Sequence, residues 1–328
     1  MAVRDACWVV TDGAAGNENQ ALALAAALGF APRVLRVTLR GPWRLLAPDS
    51  PRDFRTAIDA SQRAQFAPPW PDLVIGCGRA AALVTRALRR QSAGGTRVVQ
   101  ILDPRRHRDD FDALIVPEHD NLAGANVITC VGALNAIDDA WLARGRAAFP
   151  ALGDLPQPRT AILVGGPVRG FPLDRGYLDG MLSCLQDRHA RDGGSFLATC
   201  SRRTPPSVAV ALAAFFATYP GLFRRHDDPS PNPYAGLLGW ADGIVVTPDS
   251  ANLLSEACAT GVPVLAYRPA SVPGKLGLLA ADLIRQGRLH PLEGNATATR
   301  SQPLRELGKV ADAVRQLLQA RKDPNGIS

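Results

Sequence analysis

Residues 240–263 read WADGIVVTPDSANLLSEACATGVP, and the fold turns on them. Ile244 to Thr247 is a short β-branched run between turn residues, the pattern of a strand buried on both faces of a parallel sheet. Pro248, Asp249 and Ser250 then predict a helix start, with Asp249 or Ser250 as the cap. Gly261 predicts its end, where a left-handed residue is wanted. Along that helix Leu253, Leu254, Ala257 and Cys258 form an apolar stripe, while Asn252, Ser255 and Glu256 share another face at i, i+3, i+4. A strand-to-helix turn at the carboxyl edge of a parallel sheet presents backbone N–H groups and the positive end of the helix dipole. That suits a diphosphate. Glu256, roughly one and a half turns into the helix, is then placed to accept hydrogen bonds from a ribose. The plainer alternative is that Asp249 and Ser250 only cap a structural helix and Glu256 is solvated.

Working outward, 328 residues exceed one small core and fit two domains of ordinary size. The formal charge of +7 is spread over both halves, with no basic tail, so nothing marks a nucleic-acid partner. The balance remains compatible with anionic substrates or an anionic membrane surface. Six cysteines (7, 77, 130, 184, 200 and 258) form no C-x-x-C pair and read as buried thiols of a reducing compartment, with no metal site. The longest apolar run, Val208 to Ala217, is too short to span a bilayer. These features lead us to expect a cytoplasmic protein with neither cofactor nor metal.

The first half alternates strands and helices. A strand from Cys7 to Val10 feeds T-D-G-A-A-G-N-E-N-Q and a helix from Glu18 to Leu28, with Asn17 as its expected cap. Gly13, Gly16 and Asn17 make this turn an expected acceptor or phosphate loop, although G-x-x-G is a weak signal beside the dinucleotide fingerprint. Further strands are expected at 34–39, 71–76, 97–102 and 114–116. Their charged ends, Asp12, Glu18, Asp103, Arg105, Glu118 and His119, would converge on one sheet edge, where α/β proteins bind ligands. Asp103, Glu118, His119, Asp12 and Glu18 are therefore the expected general bases for a sugar hydroxyl. Trp43, Leu45 and Leu46 beside Arg40 and Arg44 read either as a membrane or lipid-acceptor contact or as a loop tucked onto the domain. The spelling D-x-D at Asp110 and Asp112 only precedes a strand and is taken as chance.

Pro-rich loop chemistry at 149–158 predicts a boundary, giving domains 1–150 and 151–328. The pattern then restarts with a strand from Thr160 to Val164, the loop G-G-P-V-R-G-F-P and a helix capped by Asp174. A strand from Phe196 to Cys200 and S-R-R-T-P-P follow. Gly165, Gly166, Arg169, Ser201, Arg202 and Arg203 all come after strands, so their amides and guanidinium forks are expected to face the same crevice as Asp249 and Ser250. A last amphipathic helix, about 304–318, closes the chain.

The order of T-D-G-x-x-G-x-E-N-Q-A, P-D-L-V-I-G-C-G-R at 71–79, D-P-R-R at 103–106, V-P-E-H-D at 116–120, L-V-G-G-P-x-R-G-F at 163–171, S-R-R-T-P at 201–205 and D-S-x-N-x-x-S-E-A at 249–257 resembles the family named for the plant elongated-mitochondria fission factor. The segment from 240 to 263 is also similar to the donor-nucleotide segment of GT-B glycosyltransferases. The resemblance implies two Rossmann-like domains with parallel sheets facing a central cleft, the last helix packing back on the first. Its first loop often carries a basic residue and a His, where this chain has Ala14, Ala15 and Asn17, so it implies no imidazole base there.

Three functions compete. The first is an inverting, metal-independent glycosyltransferase that uses a nucleotide sugar and a lipid or envelope-glycan acceptor at the inner membrane face. The second is a non-catalytic, membrane-associated adaptor. The third, an NAD-dependent sugar epimerase, lacks G-x-G-x-x-G after the first strand and any Tyr followed four residues later by Lys. Glu256 with the Gly and Arg loops favours the first.

Overall fold

The computed structural model describes residues 6–294 and 298–320. The chain divides into two units, residues 1–135 with 306–328, and residues 136–305. The first holds a six-stranded sheet of β1 (Cys7–Thr11), β2 (Arg33–Arg36), β3 (Leu73–Cys77), β4 (Arg97–Ile101), β5 (Ala113–Pro117) and β6 (Val127–Cys130). Its order is β2-β1-β3-β4-β5-β6, every pair parallel. The second holds β7 (Arg159–Val164), β8 (Ser195–Cys200), β9 (Gly221–Arg224), β10 (Gly243–Val246), β11 (Val264–Ala266) and β12 (His290–Pro291) in the order β12-β11-β10-β7-β8-β9, again parallel. Each sheet is wound outward in both directions from its first strand. The winding therefore reverses between β1 and β3 in one unit and between β7 and β10 in the other, which is where doubly wound sheets open a crevice at their carboxyl edge.

Alternate residues of β1 serve two different cores. Trp8 and Val10 join a cluster with Phe54, Phe66 and Val98, whereas Cys7 and Val9 join Leu24, Ile101 and Ile115 on the other face. A strand covered on both sides is apolar throughout, which is why these strands announce themselves as unbroken hydrophobic runs.

The division falls at Asn135 and Ala136 rather than at 150. The reason is a helix at Asp139–Ala148 that packs on another at Tyr234–Trp240. A Cβ on Gly145 would lie 2.2 Å from the Ala235 carbonyl oxygen, Arg146 donates to the Gly239 carbonyl at 3.0 Å, and Trp240 donates to the Phe149 carbonyl at 3.0 Å. The loop at 150–158 thus lies inside the second unit. The last helix, Leu307–Ala320, belongs with the first unit, where Val310, Ala311 and Val314 pack with Leu24 and Ala25. The Glu306 carboxylate just before it accepts from the amides of Val131 and Gly132. Among the described residues, no helix is long and apolar enough to cross a membrane.

Candidate functional site

At the reversal in the second sheet, the loop after β7 and the turn after β10 are stitched together. The Gly165 amide donates to the Thr247 hydroxyl at 2.8 Å, and the Gly166 amide donates to Asp249 Oδ2 at 2.8 Å. The loop after β8 joins them: Arg203 Nη2 donates to Asp249 Oδ2 at 3.0 Å, and the Thr204 hydroxyl donates to the Gly165 carbonyl. Asp249 is only 2% exposed. Both glycines are required by closeness, since a Cβ on Gly165 would fall 2.1 Å from Asp249 Oδ2 and one on Gly166 would fall 2.4 Å from the Arg203 carbonyl oxygen. Part of the expected anion cradle is thus taken up: the amides of Gly165 and Gly166 already serve protein acceptors, and Asp249 Oδ2 ties the loops together while its buried Oδ1 meets no hydrogen-bond partner among the described residues. Ser201 likewise serves its own turn, its hydroxyl accepting from the Arg203 amide at 3.1 Å.

The helix after β10 runs Ala251–Ala259. Ser250 is its N-cap, in extended conformation, its hydroxyl accepting from the Leu253 amide at 3.4 Å. With Leu254 bonded to the Ser250 carbonyl, the amides of Ala251 and Asn252 meet no protein acceptor among the described residues. Ser255 is buried, and its hydroxyl donates to the Ala251 carbonyl of its own helix at 2.7 Å. The half-buried Glu256 accepts from the Tyr234 hydroxyl through Oε2. Burial raises the Glu256 carboxyl above its ordinary value, with the Tyr234 bond pulling it back, and the Tyr234 phenol is driven well above its own. Arg169 and Arg202 are exposed. Arg268, just after β11 in left-handed backbone, is exposed at the same edge, its guanidinium 5.2 Å from the centre of the Tyr267 ring. Tyr234 and Arg268 were not among the residues expected here: Tyr234 lies 22 residues from its partner in sequence.

In the first unit the expected bases lie at the ends of β1, β4 and β5, or within the helix after β1, and most have partners. Asp12 accepts from the Ala14 amide at 3.0 Å and from Asn17 Nδ2 at 3.1 Å. The helix it precedes starts at Ala15, so Asn17 is not the cap but lies inside the first turn; Gly13 takes the positive φ of 81°. Glu18 forms a two-pronged pair with Arg36, both contacts 2.7 Å, and Asp103 forms one with Arg108 at 3.0 and 2.9 Å while accepting from the Arg105 amide. His119 is turned inward, its side chain 8% exposed and its Nε2 3.9 Å from Asp120. Glu118, in the same short turn, is exposed. Asp112 is fully buried between Arg89 and Arg97, and Asp110 pairs with Arg86, so the D-x-D spelling is structural. Among the described residues no group of three or more His, Cys, Asp or Glu is arranged to hold a metal ion.

Known proteins resemble this geometry at two levels. The UDP-GlcNAc 2-epimerase of Neisseria meningitidis, solved with UDP-GlcNAc, matches 95% of this chain and 99% of its own with a TM-score of 0.56 at 14% identity. Os79 of O. sativa, solved with U2F and a trichothecene, matches 97% and 91% with a TM-score of 0.51 at 14% identity. These likenesses show the GT-B fold shared by glycosyltransferases and epimerases. In sequence, the mitochondrial fission protein ELM1 of Arabidopsis thaliana is 29% identical over 76% of this chain, which spans 65% of that relative's length. An uncharacterised protein of Rickettsia prowazekii, RP120, is 24% identical over 96% of this chain and 99% of its own. The family model described as Mitochondrial fission ELM1 matches residues 15–318, and the chain belongs to that family.

Proposed function

We propose that this chain is an inverting, metal-independent glycosyltransferase of GT-B type whose second unit takes a nucleoside-diphosphate sugar at the reversal between β7 and β10. The observation that carries the reading is Glu256, a half-buried carboxylate held by Tyr234 and lying in a helix that begins at the reversal with the Ala251 and Asn252 amides open. The diphosphate would take those two amides, the helix dipole and Arg202, and the ribose hydroxyls would donate to Glu256. The acceptor hydroxyl, on a lipid or envelope glycan, attacks the anomeric carbon as the bond to the diphosphate breaks. Its proton passes to a base, for which we take Glu118, exposed like Asp12 but not held, as Asp12 is, by its own turn. A panel of nucleoside diphosphates tested by thermal shift decides: stabilisation by one of them, lost in Glu256→Ala, supports the reading, and none by any would remove it.

A second reading, a non-catalytic adaptor, is favoured by the internal use of the Gly165 and Gly166 amides. It is the reading that remains if no nucleotide stabilises the protein.

A further inference from the structure

Among the described residues Leu45 is the most exposed large apolar side chain, at 83%, with Leu46 beside it at 44%. Both belong to a four-residue helical turn, Trp43–Leu46. The turn is pinned from beneath. Trp43 packs against the core that contains Trp8 and Phe54, and Arg79 Nη2 donates to the Leu45 carbonyl at 3.0 Å. Ala47 is buried, and the Arg86 guanidinium, itself 5% exposed, donates to the Pro48 carbonyl at 2.6 Å. A leucine carried outward on a backbone fixed at both ends does not fold back onto its own domain. Its burial needs a surface from outside the chain.

The charge around that turn is one-sided. Arg40 and Arg44 are exposed on the same segment, and Arg52 follows. Arg90 reaches in to Ser50, and Arg106 reaches Asp49 at 2.8 Å from the loop after β4. Of the acids beside them, Asp49 pairs with Arg106 and with His107 at 2.6 Å and Asp53 with Arg55 at 2.9 Å, while Asp59 accepts from Ser61 and is close enough to Arg40 for the two charges to attract. Arg44 and Arg52 are thus a local surplus of positive charge beside the leucines, with Arg40 partly balanced by Asp59. A single leucine with a neighbour buries far less than a protein interface needs. A bilayer asks for less: a shallow apolar anchor plus cations over anionic headgroups, neither of which holds alone.

We propose that this face docks reversibly on an anionic lipid surface, with Leu45 and Leu46 entering the boundary between headgroups and acyl chains and Arg40 and Arg44 lying over the phosphates. The inference does not depend on the transferase reading, because lipid binding here needs no nucleotide.

The test uses the full chain with vesicles of phosphatidylcholine alone or with about 30% phosphatidylglycerol, read by co-sedimentation. The parent is expected to bind only the anionic vesicles and to release as salt rises. Leu45→Asp should weaken binding about tenfold or more, and Arg44→Glu roughly fivefold or more. Both sites are exposed, so unchanged unfolding midpoints exclude misfolding as the cause. No binding to anionic vesicles, equal binding to both vesicle types, or parent-like binding by Leu45→Asp would each overturn the proposal.

Discussion

The Asp249 carboxylate reaches the Gly166 amide at 2.8 Å from a turn on a different strand, and its placement depends on Gly165 having no side chain. Gly165→Ala puts a methyl group where Asp249 Oδ2 lies, an overpacking expected to cost about 1–3 kcal/mol. Asp249→Asn removes the charge shared by Gly166 and Arg203 and is expected to cost a similar ~1–3 kcal/mol, because the buried amide loses its acceptor or gains a poor one. Arg203→Ala should cost less, under about 1 kcal/mol, since the Arg203 side chain is 47% exposed and water replaces its partner. Urea unfolding of the three variants checks the ordering; an equal loss in Arg203→Ala would mean that the guanidinium, not the glycine loop, carries the tie.

Glu256 makes a prediction in which stability and binding move oppositely. Its carboxyl is raised by burial above the ordinary 4.5, so between that value and the folded one the folded state holds more protons than the unfolded chain. Stability therefore falls as pH rises through that window. Glu256→Gln removes the fall and should be more stable than the parent at neutral pH, while nucleotide binding weakens by ~1–3 kcal/mol through the unpaired ribose donors. Tyr234→Phe removes the bond that opposes burial and should move the fall to higher pH. Unfolding midpoints taken from acid to neutral pH, with and without nucleotide, separate these outcomes; a flat parent profile would refute the linkage.

Most strands legible from sequence are buried on both faces; the edge strand β2, expected at 34–39, is the partly buried exception and runs Arg33–Arg36. β1, β3, β7 and β10 are apolar runs between turn residues, and each lies within a residue or two of its expected place. β6 and β9 were not legible: they are edge strands, only partly buried, and Val127–Cys130 and Gly221–Arg224 lack a continuous apolar signature. The helix pair 139–148 and 234–240 was hidden by its glycines. Gly145 and Gly239 leave room for the Ala235 and Leu142 carbonyl oxygens, and Gly236 leaves room for the Phe149 side chain. In the site, the spacing pointed to Ser250 and Glu256 because both follow from one helix. The partners that redirect Gly165, Gly166 and Asp249 come from distant turns, and sequence spacing carries no trace of them.

The cysteines offer a check on the cores. Burial pushes the thiols of Cys7, Cys130 and Cys258 up to about 12, and raises Cys77 and Cys200 as well. Cys184 is raised too, but it is half-buried whereas the other five are buried. An alkylating reagent at neutral pH is therefore expected to modify Cys184 first and slowly, and the remaining five only in denaturant. Mass spectrometry of the labelled chain reads this directly; labelling of Cys7 or Cys258 in the native protein would contradict the packing of the sheet.

The chemistry is tested at Glu118. Glu18 and Asp103 are held in two-pronged arginine pairs and Asp12 accepts from its own turn, so each is basic only after giving up a partner. Glu118 stands at the end of β5 in a three-residue turn, exposed, with the inward His119 next to it. A carboxylate open to solvent is free to meet an acceptor hydroxyl, and general-base catalysis is typically worth ~100 to 10,000-fold in rate. Glu118→Gln is expected to lose turnover by that factor while nucleotide still stabilises the protein, because the contacts proposed for the donor do not include Glu118. Asp103→Asn should instead lower stability through the loss of its Arg108 pair, with activity falling only as far as the fold does. On the proposed reading, chelator should leave the parent's turnover unchanged, since helix amides and Arg202 would serve the leaving diphosphate. The assay is donor-sugar consumption with membrane lipid extracts as acceptor; parent-like turnover in Glu118→Gln, or a requirement for metal, would discard Glu118 as base or the metal-independent mechanism respectively.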